Sequence, residues 1–191
     1  MTFTFNPHPF GAACENLIAA ADVCDLGPGT PNRVVADQLR SLDTAALFGE
    51  QSVTDHEMAS CCIAGLWLLH NFLDESHTIS QNIDTTTGSY WHGIMHRREP
   101  DFSNAKYWFR RVDNHEIFPA LCSGVSELAR RRGTDKRTAF LATQSQWDPF
   151  AFVDLCEAAM GGRADEALCR QAAHLEWQIL FDYCYRSAIG H

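Results

Sequence analysis

Thr54-Asp55-His56-Glu57-Met58-Ala59-Ser60-Cys61-Cys62-Ile63-Ala64-Gly65-Leu66-Trp67-Leu68-Leu69-His70 is the stretch that decides the fold class. Its first four residues read as a capping box, in which a hydroxyl and a carboxylate three residues apart satisfy free amides at a helix start. Behind them, Ile63 to Leu69 is the longest uninterrupted apolar run of the chain, closed by His70. That run is far shorter than the roughly 20 apolar residues a bilayer span needs, so it predicts a buried helix. The same punctuation recurs outward. Thr30-Pro31 places a capping hydroxyl before a proline at the first helical position, and Val34, Val35, Leu39 and Leu42 follow at helical spacing. Asp148-Pro149 repeats the device ahead of Phe150, Phe152, Val153, Leu155 and Cys156, and Gly161-Gly162 stops that helix. From Ala164 onward, Leu168, Ala172, Leu175, Ile179, Phe181 and Tyr183 predict a long C-terminal helix to about Ala188. The β-branched alternation of strands is missing apart from weak candidates near the N-terminus. Connections are short and polar: Gly27-Pro28-Gly29, Asp84-Thr85-Thr86-Thr87-Gly88 and Arg132-Gly133-Thr134. The expectation is an all-α chain, a compact array of antiparallel helical hairpins forming one domain over residues 1–191.

Composition narrows the function classes. The 191 residues are 46% hydrophobic and 20% charged, an ordinary globular balance, with a formal charge of −9. Residues 1–96 carry two Arg against eleven acids (−9), residues 97–137 ten basic against six acidic groups (+4), and residues 138–191 three Arg against seven acids (−4). An acidic chain with one basic stretch lacks the dominant positive field that non-specific nucleic-acid binding requires. Met1 to Phe10 has neither a basic n-region nor an apolar h-region, so a secretory signal is not expected and a cytoplasmic protein without a membrane span is. The eight cysteines, at 14, 24, 61, 62, 122, 156, 169 and 184, form no CxxC pair and fall inside apolar helical patterns. They read as reduced core thiols.

Leu69-His70-Asn71-Phe72-Leu73-Asp74-Glu75-Ser76-His77 can be laid on Met95-His96-Arg97-Arg98-Glu99-Pro100-Asp101-Phe102-Ser103-Asn104 with one inserted residue. Both read as a helix ending in His, an acidic turn and a second helix, a period that suggests stacked hairpins. Gly93, Pro100, Phe102, Ala105, Phe109 and Val112 fall where a tetratricopeptide-type repeat puts its glycine, its turn and the apolar positions of its second helix. The segment of about residues 88–113 therefore resembles one tetratricopeptide or Sel1-like unit. That resemblance implies helix-pair stacking and a concave face that binds peptides.

Chemistry concentrates between residues 70 and 115, where five of the nine histidines lie: His70, His77, His92, His96 and His115. His92 and His96 are four apart, so on a helix both imidazoles can face one divalent transition-metal ion, with Glu99 on the same face. His70, Asp74 and His77 repeat that spacing if their helix runs on through Asp74. Two antiparallel helices presenting these faces would supply a His and carboxylate ligand set. The structural alternative is a group of histidines bonded to carboxylates and backbone at a hairpin junction. Arg97 and Arg98 precede Pro100, in the last turn of a helix where the dipole favours cations, and a turn network with Glu99 and Asp101 accounts for them. The functional alternative gathers Arg97, Arg98 and Arg110 with His96 into a pocket for a carboxylate or phosphate, helped by donors from Thr85 to Ser89. Trp91, Trp108, Tyr90 and Tyr107 read as hairpin packing. Asn104 and Gln81 sit near a turn where an apolar residue would pack better, so each either bonds a helix terminus or faces a ligand. No nucleophile elbow is present, and the segment holds no cysteine.

Two expectations follow. The first is a His/Arg-rich polar pocket lined by His77, His92, His96, Arg97, Arg98, Glu99, Asn104 and Arg110 that takes a small anionic ligand, with a metal at His92 and His96. If such a pocket is catalytic, a histidine is its base. The second is a tetratricopeptide-like scaffold whose arginines clamp an acidic peptide.

Overall fold

A computed structural model describes residues 3–191 of the chain. Ten α-helices account for most of it: α1 (Ala12–Ala19), α2 (Ala36–Arg40), α3 (Thr44–Phe48), α4 (His56–Leu69), α5 (Leu73–Ser80), α6 (Thr86–Arg98), α7 (Phe102–Val112), α8 (Phe118–Arg132), α9 (Pro149–Met160) and α10 (Glu166–Ala188). Short 3-10 turns cover His8–Phe10, Arg33–Val35 and Ala139–Ala142. The described residues contain no strand, so the weak N-terminal candidates are not strands. None of the helices is long and apolar enough to cross a membrane.

Several helix starts follow from the capping chemistry. Asp148 accepts from Phe150 N and Ala151 N at the mouth of α9, and Gly161 ends that helix. Asp101 accepts from Asn104 N and opens α7, while α10 runs to Ala188 as its apolar spacing predicts. Two expected starts are corrected. At α4 the cap is Asp55, which accepts from Glu57 N and Met58 N; the Thr54 hydroxyl donates instead to Ala188 O at the end of α10. Thr30-Pro31 opens no helix. Asn32 caps the 3-10 turn Arg33–Val35 that leads into the short α2, and Val34 lies 94% exposed, so this segment has too little apolar face to hold a longer helix. The polar stretch after Asp84 is also shorter than expected, because Thr85 caps Gly88 N and α6 begins at Thr86.

One apolar cluster runs from Phe10 to Ala188. All eight cysteines are buried within the fold and none is paired, as core thiols would be. Burial pushes the Cys14 and Cys156 thiols up to about 12, which keeps them protonated and inert.

The position of α6 sets up the site. It contacts α4, α5 and α7, and every residue from Thr87 to Arg98 is buried. A helix enclosed on all sides normally reads as continuously apolar. This one is Thr-Thr-Gly-Ser-Tyr-Trp-His-Gly-Ile-Met-His-Arg-Arg, so its polar groups need internal partners. Its start is also tightly enclosed, since a Cβ at Gly88 would meet the Ile83 carbonyl oxygen at 2.4 Å. Gly88→Ala is accordingly expected to destabilise the fold by about 1–3 kcal/mol, because backbone cannot rotate away as a side chain can. A thermal melt checks this; an unchanged midpoint would mean α6 is packed more loosely at its N-terminus.

Candidate functional site

The polar groups of α6 can be accounted for one at a time. Tyr90 donates its hydroxyl hydrogen to Glu176 Oε1 of α10 at 3.0 Å. Arg97 pairs with the other oxygen of the same carboxylate, its guanidinium over the Phe152 ring at 4.7 Å. Burial would lower the Arg97 pKa, but the Glu176 charge more than offsets that and the group is held above its ordinary range. Arg98 donates to the carbonyls of Gly27 (2.6 Å), Pro28 (3.4 Å) and Leu68 (3.4 Å) and to Asn71 Oδ1 (2.6 Å). It fastens the Gly27–Gly29 loop to the end of α4. His96 donates Nδ1–H to Glu99 Oε2 at 3.0 Å. Two gaps are left on this helix: Nη1 of Arg97 has no hydrogen-bond partner, and His92, 2% exposed, has none at either ring nitrogen among the described residues.

Around His92 the rings converge. His96 stacks on it from one turn further along α6, with centroids 4.7 Å apart and planes at 19°. Trp108 of α7 stacks on it at 3.9 Å and 16°. His77 of α5 meets it edge-on, at 4.7 Å and 81°, and meets His96 at 5.4 Å and 72°. One nitrogen from each of His77, His92 and His96 lies within 4.8 Å of the other two. Tetrahedral Zn–N bonds of about 2.0–2.1 Å would hold such nitrogens roughly 3.3 Å apart, so modest side-chain rotation separates this arrangement from a coordination set. His77 is half-buried and forms the solvent side of the group.

Electrostatics keep the cluster available to an ion. Burial, reinforced by the neighbouring His96 and His77, pushes His92 down to about 3. Burial also holds His96 below its ordinary value, against the opposing pull of Glu99. A neutral imidazole is the metal-binding form. The Glu99 contact puts the His96 proton on Nδ1 and leaves Nε2 with its lone pair, the usual arrangement of a carboxylate behind a ligating histidine. Asn104 Nδ2 lies 3.4 Å from Nδ1 and 3.1 Å from Nε2 of His96. An atom that near to both nitrogens of one ring sits over its face, so it does not occupy the in-plane lone pair.

The structure thus gathers His77, His92, His96, Glu99 and Asn104, but it does not bring the expected arginines to them. Arg97 is turned toward α10 and Arg98 toward the Gly27–Gly29 loop, both buried; Arg110 is exposed on α7. The His70-Asp74-His77 face does not form, because α4 ends at Leu69 and α5 restarts at Leu73. His70 instead donates Nε2–H to Leu17 O and accepts at Nδ1 from Asn32. Thr85 and Thr87 spend their hydroxyls on Gly88 N and His115, and Gln81 is exposed at the end of α5. Trp108, read as packing, is part of the site. Glu176 lies two residues from His174 and so on another face, which gives it no site reading in the sequence, although Ala172, Glu176 and Leu180 follow one another at helical spacing and are all buried. A carboxylate on an apolar stripe was the available signal.

Fold and site together define an all-helical protein with a three-histidine cluster between α5 and the enclosed α6. No protein-family model, curated protein or solved structure matches the chain.

Proposed function

We propose that this protein binds a divalent transition-metal ion through His77, His92 and His96, with Glu99 orienting His96 from behind. The buried His92 ring, unpartnered at both nitrogens, carries the reading. An unsatisfied buried polar group costs about 1–3 kcal/mol, and an ion would give one of these nitrogens a strong partner. An all-imidazole set suits Zn, Cu, Ni or Co rather than Mg or Ca. Of the site expected from the sequence, the histidines and Glu99 are kept in this reading and the arginines are not.

The test uses the full chain without a histidine tag, loaded with Zn(II) and dialysed. About one equivalent of zinc is expected to remain, and His92→Ala is expected to lose it. Glu99→Gln keeps the shape of the residue but removes its charge, and is expected to weaken zinc binding about 10–100-fold. Zinc retention below about one-tenth equivalent, unchanged by His92→Ala, would dismiss the site.

A second reading, a tetratricopeptide-like scaffold for an acidic peptide, draws support from the α6–α7 pair. A Cβ at Gly93 would lie 3.2 Å from the Phe109 ring, the kind of close helix approach such a unit needs. Of its proposed clamping residues only Arg110 is exposed. That reading calls for an acidic partner captured by the wild type and released by Arg110→Glu.

A further inference from the structure

Among the described residues, His77, His92 and His96 are joined by no fourth His, Cys, Asp or Glu donor. The nearest carboxylate, Glu99, is occupied with Nδ1 of His96, and the Asn104 amide nitrogen lies over the face of that ring. A four-coordinate ion held by three protein nitrogens keeps one place for a ligand from outside, as open zinc sites do. Three neutral imidazoles cancel none of a dication's charge, and Glu99 behind them cancels one unit. The remaining place therefore favours a singly charged ligand. His77 is half-buried on α5, so this is the side from which solvent reaches the group.

Resting on the metal reading above, we infer that the ion at His77, His92 and His96 carries an exchangeable external ligand, and that the site takes a small monoanion bound through one atom. This chemistry covers hydroxide from water and simple carboxylates alike. It also restores an anion to the site with no arginine, since the metal charge does the work that guanidinium groups were expected to do.

The test is to load the full-length chain with Co(II), follow its visible absorption, and titrate with azide. A cobalt band that shifts saturably, at one azide per ion, is the expected result. The Asn104→Ala variant is expected to behave in the same way, with azide affinity within about threefold of the wild type. A wild-type cobalt band that azide leaves unchanged would overturn the inference while sparing the metal site. Azide binding that appears only in Asn104→Ala, or tightens there by about tenfold or more, would overturn it too, because the Asn104 amide would then be the fourth ligand. Failure of Co(II) to bind at all, with no band in either protein, would remove both the inference and the reading beneath it. His92→Ala serves as the control that any band belongs to this site.

Discussion

Glu176→Leu is expected to destabilise this protein by about 3–5 kcal/mol, the largest loss of any single substitution considered. Glu176 and Arg97 are both essentially without solvent exposure, and Tyr90, also buried, bonds the same carboxylate. Removing the carboxylate leaves a guanidinium charge in the core without its counter-charge, over the Phe152 and Phe109 rings at 4.7 and 6.0 Å. It also orphans the Tyr90 hydroxyl. Typical domains hold only about 5–15 kcal/mol in total, so the loss consumes a large share of the margin. For a chain of this size it corresponds to a fall in Tm of roughly 10–15 °C. The combined variant Arg97→Met, Tyr90→Phe, Glu176→Leu leaves no charge or hydroxyl unpaired and is expected to recover most of the loss, since the desolvation cost of the pair disappears with it. Urea unfolding of the two variants separates the cases. If Glu176→Leu falls within about 1 kcal/mol of the wild type, the ion pair is not what ties α6 to α10.

The second large effect is acid lability. His115 is buried, donates Nε2–H to Thr87 Oγ1 at 3.1 Å and accepts at Nδ1 from Ile117 N at 3.3 Å. Burial pushes it down to about 4, and His92 down to about 3. In the unfolded chain both histidines titrate near 6.5. Below that pH the unfolded state takes up protons that the folded state refuses, so stability is fully present above about pH 6.5 and is lost as pH falls toward the folded values. The gap at His115 corresponds to roughly 3 kcal/mol between pH 7 and pH 4, with His92 acting in the same direction. The measurement is the urea midpoint as a function of pH. A steady decline from pH 7 to 4 is expected, and His115→Gln, which has no titrating group, is expected to flatten part of it. A midpoint constant over that range would contradict the enclosed, neutral state of these rings.

The arginines and histidines of the 70–115 segment show what could be read before folding and what could not. His92 and His96 fall four apart on a helix whose capping signals were local, so their shared face was legible. Glu99 three residues on was legible for the same reason. His77 is expected from the sequence through a His70-Asp74-His77 face that the break between α4 and α5 abolishes, and its partners at His92 and His96 come from the packing of α5 against α6. Arg97 and Arg98 were misread because adjacent residues on a helix point about 100° apart. Their partners, Glu176 and the Gly27–Gly29 loop, lie 79 and about 70 residues away.

What the sequence determined by itself lies within short-range chemistry, although the starts at Asp55, Asn32 and Thr85 differ from those it predicts. It determined the helical class, the caps at Asp101 and Asp148, the stop at Gly161, the long terminal helix and the burial of the cysteines. These rest on hydrogen bonds between near neighbours and on the 3.6-residue period. Tertiary structure alone decided which polar groups of the enclosed α6 found partners and which did not. That outcome depends on residues brought together from α5, α7 and α10, and no spacing along the chain encodes how three helices meet. Glu176 takes the Tyr90 hydroxyl and one nitrogen of Arg97, the loop carbonyls take Arg98, and His92 is left with its nitrogens free beside two other imidazoles.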